Sequence, residues 1–280
     1  MKEFIKFWFG IDSIFCWWGP GIHLFIAQKI IDSSCNMIKD LELIKKYKKY
    51  FLYGTIAPDI TLGKKYIREA EKHCHGWNTA FLILKNASNE QEKAVAYGYL
   101  VHLASDVIAH NYYVPKELLV SFGFRGLSHT VSEIKADMIL HKETRGIIEE
   151  LLKVDFSEEN KFISQNISKA ILPFGVNRRI FEYSLKGSKS SYLKKAVTGR
   201  FSYEKWVIEK KELLEEYYEI SYKLSLDILT NMENSKIIKY DPNGIENIEL
   251  VKKSKKELRK IDIGVEQAIF YRIPDELKNI

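Results

Sequence analysis

The chain has 280 residues, of which 46% are hydrophobic and 29% are charged, with 15 glycines and only 6 prolines. This composition is typical of a globular protein of one large or two small domains, and it excludes a collagen, a low-complexity tail and a small disulfide-stapled scaffold. The 43 basic and 37 acidic residues give a formal charge of +6, which permits contact with anionic membranes or nucleic acid but is shared by many ordinary enzymes.

The N-terminus is aromatic and apolar, but it lacks the features of a good signal peptide. Asp12 interrupts the apolar run, and no small residues precede Trp17 or Trp18 as a cleavage site would require. The run is also shorter than the roughly 20 apolar residues that span a bilayer. We therefore predict no membrane span and a cytoplasmic or peripheral membrane location, with secretion as the alternative.

Apolar residues in the first half recur at helical spacing, without the alternation or hairpin turns of strands. Predicted helices cover 22–38, 41–53 and 77–86, and a loop covers 55–63. Asn89 and Glu92 have the spacing of a capping box, so a long helix is predicted from there to about Tyr113, ended by Pro115. The pattern predicts an all-α protein.

The second half of the chain continues in the same way. Helices are predicted from Ser128 to about Lys153, onwards from Ser157, over 203–233 and over 245–271. The residues Asp241-Pro-Asn-Gly form a predicted turn before the last helix. The lysine-rich face of that helix is interpreted as solvated, the alternative being contact with anionic lipid.

The seven histidines all lie within the first 141 residues, and several precede a carboxylate at helical spacing. His102, Asp106 and His110 are four residues apart and therefore share one helix face, and His129 with Glu133 repeats this spacing. Zinc binds imidazole nitrogen and carboxylate oxygen, and side chains one turn apart can converge on one ion. One such pair is usually an ordinary core or surface pair, but the repetition predicts a multi-metal site.

Other polar residues near these motifs receive plainer interpretations. The three cysteines have no CxxC spacing and are predicted to be reduced thiols. His75 is interpreted as a loop residue, the alternative being a group behind the metal ligands. Asp137 and His141 continue the face of His129 and are interpreted as an ordinary polar face, the alternative being support for the ligands.

These motifs together resemble the zinc-dependent phospholipase C family, which is related to the S1/P1-type nucleases. The matching residues are Trp18-Gly-Pro-Gly-Ile-His23, Ala57-Pro58-Asp59, His73, His102-Leu-Ala-Ser-Asp106 with His110, and His129-Thr-Val-Ser-Glu133. The resemblance covers roughly residues 17–150 and implies an all-helical phospholipase C-like bundle. We expect a phospholipase C-like domain over 17–200, a helical region over 201–280 packed on it, and a segment over 1–16 that is a poor signal or an anchor.

The resemblance also implies how zinc is held, with two or three ions expected. Carried over by position, the first ion takes Asp59, His73, His102 and Asp106, and the second takes His110, His129 and Glu133. The third takes His23, Asp106 and the backbone of Trp18, so that Asp106 bridges two ions. The family uses a free terminal amine where this chain has an internal Trp18, so the third ion depends on processing of the N-terminus.

The resemblance implies hydrolysis of a phosphodiester by a metal-activated water, with phospholipid as substrate and peripheral contact with a membrane. Asp59 is the catalytic candidate that orients or deprotonates the water, the alternative being a plain ligand. The alternative functions are an S1/P1-type nuclease acting on nucleic acid and a metal-binding protein without catalysis. Glu133 favours the phospholipase, because the nuclease branch has Asp there, whereas the Trp18–His23 interval is like that of the nucleases.

Overall fold

The architecture is helical throughout the residues that the structure describes. A computed structural model describes residues 19–60, 73–120, 136–137, 139–167, 203–261 and 272–280. Every regular element in these ranges is a helix, and no strand occurs among them. The predicted all-α class is therefore confirmed. The division into segments 1–16, 17–200 and 201–280 stays a prediction.

The helices follow one another with short connections within the described ranges. They are α1 (Pro20–Ile31), α2 (Leu41–Lys46), α3 (Lys48–Gly54), α4 (Ala57–Ile60), α5 (Trp77–Asn86), α6 (Glu90–Ile108), α7 (Val114–Val120), α8 (His141–Leu151), α9 (Ser157–Asn166), α10 (Tyr203–Asn231), α11 (Ile245–Ile261) and α12 (Asp275–Lys278). A π-helical turn, Ala109–Tyr113, joins α6 to α7, and 3₁₀ turns cover Met232–Asn234 and Lys236–Lys239.

The capping pattern predicted for the long helix is present. The Asn89 side chain accepts a hydrogen bond from the Glu92 backbone N–H at 2.9 Å, and the Glu92 carboxylate accepts from the Ser88 N–H at 2.7 Å. The first bond satisfies an N–H group that the first turn of a helix leaves unpaired, and the second ties the residue before the cap to the helix. The starts of α5 and α9 also agree with prediction, whereas the predicted start of a helix at Ser128 lies outside the described residues.

Two predicted helices are shorter than expected. The helix predicted over 22–38 ends at Ile31, where the Ser33 hydroxyl donates to the Ile30 carbonyl at 2.7 Å. Such a side-chain bond competes with continuation of the helix. The helix predicted over 41–53 is broken at Tyr47, whose ψ of 36° is not helical.

The prediction that Pro115 ends the long helix is wrong. The chain winds wider there, and the Val114 N–H bonds to the Ala109 carbonyl five residues back. Pro115 then lies in the first turn of α7, where a missing N–H costs little. The helical rod therefore continues past the proline with a π turn inside it.

Helix α6 lies at the centre of the molecule. All of its residues from Ala94 to Ile108 are buried, and it packs against α1, α3, α5 and α10. It crosses α3 at two glycines: a Cβ on Gly98 would lie 2.1 Å from the Phe51 carbonyl oxygen, and one on Gly54 would lie 2.1 Å from that of Val95. This close approach brings the end of α3 against the polar residues of α6.

None of the described helices combines the length and the apolar character needed to cross a membrane.

Candidate metal centre

A buried carboxylate, Asp106, lies among imidazoles that its own helix supplies. His102 and Asp106 lie one turn apart on α6, and His110 follows in the π turn; all three side chains are fully buried. The Nε2 of His102 lies 3.0 Å from Asp106 Oδ2, and the Nε2 of His110 lies 3.7 Å from Asp106 Oδ1. The helical spacing noted in the sequence therefore converges on one carboxylate.

Helix α1 contributes a third imidazole. The Nε2 of His23 lies 3.4 Å from Asp106 Oδ1, and its ring stacks on that of His102 with centroids 4.1 Å apart. Asp137, partly buried, accepts a hydrogen bond from the Ile22 N–H at 3.0 Å and so supports the start of the helix that carries His23. This contact fits the predicted alternative, in which Asp137 supports a ligand.

The segments on either side of residues 61–72 contribute Asp59 and His75. The Nε2 of His75 lies 3.3 Å from Asp59 Oδ1, 3.3 Å from Asp106 Oδ2 and 3.0 Å from the Nε2 of His102. Asp59 Oδ1 lies 3.9 Å from the Nε2 of His102. Asp59 is the exposed edge of this cluster, since its side chain is 10% accessible while that of His75 is 0%.

The structure brings His75 rather than His73 into this cluster. The Nδ1 of His73 accepts a hydrogen bond from the His75 backbone N–H at 3.1 Å, and His73 belongs to neither group of converging donor atoms in the described part of the chain. Tyr99 is buried in α6 and donates to the Cys74 carbonyl, and this bond fixes the segment against the centre. Spacing along the chain could not distinguish the two histidines, because this choice depends on the path of the turn at 74–75.

Several other predicted ligands lie outside the described residues. These are Trp18, His129 and Glu133. Two groups of donor atoms within 4.8 Å of one another are found among the described residues: His23 with His102 and Asp106, and Asp59 with His75 and His102.

The distances between donor atoms fit coordination of a cation better than direct pairing. Zinc ligands at about 2.1 Å from a tetrahedral ion lie about 3.4 Å from one another. The nitrogen–oxygen separations at Asp106 are 3.0, 3.3, 3.4 and 3.7 Å. Both ring nitrogens of His23 and both oxygens of Asp106 are buried without a well-formed hydrogen bond in the described part of the chain. Such groups are costly unless an ion satisfies them, so these residues fit a metal centre.

Two backbone carbonyls decide which ring nitrogen faces the centre. The Nδ1 of His102 lies 2.8 Å from the Thr55 carbonyl, and the Nδ1 of His110 contacts that of Pro242. A carbonyl only accepts, so each Nδ1 carries the hydrogen and each neutral ring directs the Nε2 lone pair towards Asp106. A hydrogen bond of this kind is the usual way in which proteins orient metal-binding histidines.

The electrostatics keep the donors in the forms that bind metal. Burial, followed by the neighbouring His102, lowers the pKa of His23 from 6.5 to about 3, so the ring is neutral at neutral pH. Burial opposes ionisation of Asp106, but the positive charge that His102 and His110 carry when protonated outweighs it and holds the pKa of that carboxyl well below its usual range. A neutral imidazole beside an ionised carboxylate is the donor pair that zinc requires.

Comparison with known proteins agrees with this centre. The family model for zinc-dependent phospholipase C matches residues 22–195, which is more than half of the chain and contains every residue of the cluster. No curated protein and no solved structure matches the chain. The matched segment begins in α1, just before His23, and extends well beyond α9. The chain therefore belongs to the zinc-dependent phospholipase C family, as its motifs predicted.

Proposed function

We propose that the chain is a zinc-dependent phospholipase C that hydrolyses the phosphodiester of a phospholipid head group at the periphery of a membrane. The observation that carries this proposal is the convergence of four imidazoles and two carboxylates in one buried cluster. These residues are His23, His75, His102, His110, Asp59 and Asp106. Membership of the family supplies the reaction class and the metal.

We assign the donors to two sets that share Asp106. One set comprises Asp59, His75, His102 and the Oδ2 of Asp106, with His75 in the place first predicted for His73. The other comprises His23, His110 and the Oδ1 of Asp106. The predicted ligands Trp18, His129 and Glu133 remain proposals, and with them the number of ions beyond two.

The residues of the cluster have different roles in the proposed reaction. When bound, zinc lowers the pKa of water and neutralises charge on the phosphate oxygens. Asp59 is reached by solvent, whereas Asp106 and the histidines are not. The Asp59 carboxylate is therefore placed to accept a proton from the attacking water, while the buried donors keep their positions.

The test compares Asp59→Asn with Asp32→Asn, a change of the exposed carboxylate that follows α1. Bound zinc per chain is measured first, and phosphatidylcholine and single-stranded DNA are then assayed side by side. We expect lipid hydrolysis that a chelator abolishes. We also expect kcat/KM to fall by at least about 100-fold in Asp59→Asn, as for loss of a general base, and to stay unchanged in Asp32→Asn.

The remaining outcomes select between the alternatives. Full zinc content in an inactive Asp59→Asn variant identifies a base, whereas loss of zinc identifies a plain ligand. Hydrolysis of DNA alone would replace the phospholipase by a nuclease. Zinc uptake without hydrolysis of either substrate would leave a metal-binding protein without catalysis.

A further inference from the structure

A turn in the C-terminal part of the chain reaches the metal centre. It comprises residues 240–244, Tyr-Asp-Pro-Asn-Gly, and connects the 3₁₀ turn Lys236–Lys239 to α11. We call it the 240–244 turn. It lies outside the segment 22–195 that the family model matches.

The first contact of the 240–244 turn is with His110. The buried Pro242 offers its carbonyl to the Nδ1 of that ring. This bond places the hydrogen on Nδ1 and leaves the Nε2 lone pair facing Asp106 at 3.7 Å. Without the carbonyl, the ring would lose the partner that selects this tautomer and orientation.

The second contact is with His75. The Nδ2 of Asn243 donates to the His75 carbonyl at 2.9 Å and also bonds to Asp241 Oδ1 at 3.0 Å. His75 lies in a turn rather than in a helix, so no helical ladder holds its backbone. Asn243 therefore anchors the turn before α5, which carries the donor His75 of the first set.

Two further bonds dock the same turn on both segments that carry these histidines. The Trp77 Nε1 donates to the Tyr240 carbonyl at 2.9 Å, and the Asn111 Nδ2 donates to the Asp241 carbonyl at 2.8 Å. Four consecutive residues, 240–243, thus each bond to a proposed ligand or to a residue within two positions of one. A surface appendage would not be expected to make such a continuous set of contacts, of which the one to His110 is buried and the others are partly buried.

The conformation of the turn excludes a side chain at its last residue, Gly244. Gly244 has a φ of +56°, and a Cβ built on it would lie 2.3 Å from the His110 carbonyl oxygen. The Asp241 carboxylate accepts from the backbone N–H of Asn243 at 2.9 Å and of Ile245 at 3.2 Å, which holds the turn closed. The backbone of the turn therefore packs directly on that of the proposed ligand.

We propose that the 240–244 turn is a positioning element of the metal centre, which holds His110 and His75 in their binding orientations from outside the matched family segment. This inference rests on the metal centre of the proposed function. Asn243 and Gly244 act through the two histidines and do not touch the ion. It follows that tight zinc binding requires the C-terminal region of the chain.

The test measures zinc affinity by competition with a chromogenic chelator, together with the visible spectrum of the cobalt(II)-substituted protein. Asn243→Ala is compared with Asn231→Ala, which removes an exposed amide that bonds to Asp227 on the surface of α10. We expect Asn243→Ala to weaken zinc binding about 10- to 100-fold, as for other residues that orient metal ligands. We also expect a changed cobalt spectrum, while Asn231→Ala leaves both unchanged.

Gly244→Ala and Gly146→Ala form a second matched pair, because a Cβ on Gly146 would meet nothing within 4 Å. Gly244→Ala is expected to weaken zinc binding at least as much as Asn243→Ala, and Gly146→Ala to leave it unchanged. Wild-type zinc affinity and cobalt spectrum in Asn243→Ala would overturn the positioning role. A wild-type chain that takes up no zinc would instead remove the metal centre, and this inference with it.

Discussion

Asp106 presents an electrostatic problem that the described residues do not solve by themselves. Four Nε2 atoms approach its carboxylate within 3.0 to 3.7 Å, and those of His102 and His110 carry lone pairs when the rings are neutral. Protonating His75 and His102 at Nε2 would place two positive rings against one another, since these nitrogens are 3.0 Å apart. Cations between the donors remove the repulsion between lone pairs and carboxylate, and they also make protonation of the rings unnecessary. Each donor atom then faces positive charge.

Asp137 makes the free energy of unfolding of the protein depend on pH. Burial raises its pKa to about 7, although the N–H groups of Gly21 and Ile22 act in the opposite direction. The folded state therefore holds this proton more tightly than the unfolded state, whose pKa is near 3.8. The resulting stabilisation is complete below about pH 4 and is lost as the pH rises through about 7.

We expect Asp137→Asn to remove this part of the pH profile. In the metal-free protein, the free energy of unfolding of the wild type relative to the variant should fall between pH 4 and 7. The slope should be at most about 1.4 kcal/mol per pH unit. Urea denaturation at several pH values measures it, with Asp32→Asn as the control. Parallel profiles for the wild type and Asp137→Asn would contradict the assignment.

At the scale of elements, the crossing of α3 and α6 determines the geometry of the site. The two helices touch backbone to backbone at Gly54 and Gly98, and the residue after α3, Thr55, presents its carbonyl to the Nδ1 of His102 at 2.8 Å. A larger separation between the helices would break this bond. The packing of α3 on α6 and the orientation of the His102 ring are therefore coupled through the Thr55 carbonyl.

We expect Gly98→Ala to destabilise the fold by at least about 2 kcal/mol, because its Cβ would overlap the Phe51 carbonyl. Gly146→Ala, in open space on α8, should be neutral or stabilise by up to about 1 kcal/mol, since alanine favours helix more than glycine. Urea denaturation measures both. Equal stability of Gly98→Ala and the wild type would show that the helices can separate at no cost.

The π turn is the second element that affects the geometry of the site, because it carries His110. In a regular α-helix, each step of four residues rotates a side chain about 40° further around the axis. His110 lies in the wider winding over Ala109–Tyr113. A wider helix turns less per residue, which acts against this drift. A π turn at a functional position is a common observation, and here it also explains why the helix passes Pro115.

At the scale of the whole molecule, the metal centre joins parts of the chain that are distant in sequence. The donors come from α1, α4, the turn before α5, α6 and the π turn, and the 240–244 turn supports them. Ions bound there stabilise the folded state because the unfolded chain has no preformed site.

Removal of zinc is therefore expected to lower the melting temperature without abolishing the helical fold, since α6 also packs in an apolar core. The stabilisation is about 2.7 kcal/mol when free zinc is 100 times Kd. Calorimetry of the zinc-loaded, chelated and zinc-restored protein measures it. Calcium should not restore the loss, because imidazoles suit zinc better. An unchanged melting temperature after chelation would argue against a metal centre.

The amino-acid sequence alone was sufficient for the helical class, the cap at Asn89 and the alignment of His102, Asp106 and His110. These depend on spacing of three or four residues, which the geometry of a helix converts directly into a shared face. The family followed from the same motifs, and the matched segment 22–195 confirms it. Element ends were less predictable, since the Ser33 hydroxyl and the π turn act through local bonds that hydrophobic spacing does not record.

Only the tertiary structure decided between His73 and His75, placed Asp137 under α1, and brought residues 240–244 onto His110. Each of these contacts pairs a side chain with a backbone group that is distant along the chain, and backbone N–H and carbonyl groups are nearly the same at every position of a sequence. Side-chain types therefore indicate which atoms can bind a metal. The folded path of the backbone decides which of them face it and which residues hold them there.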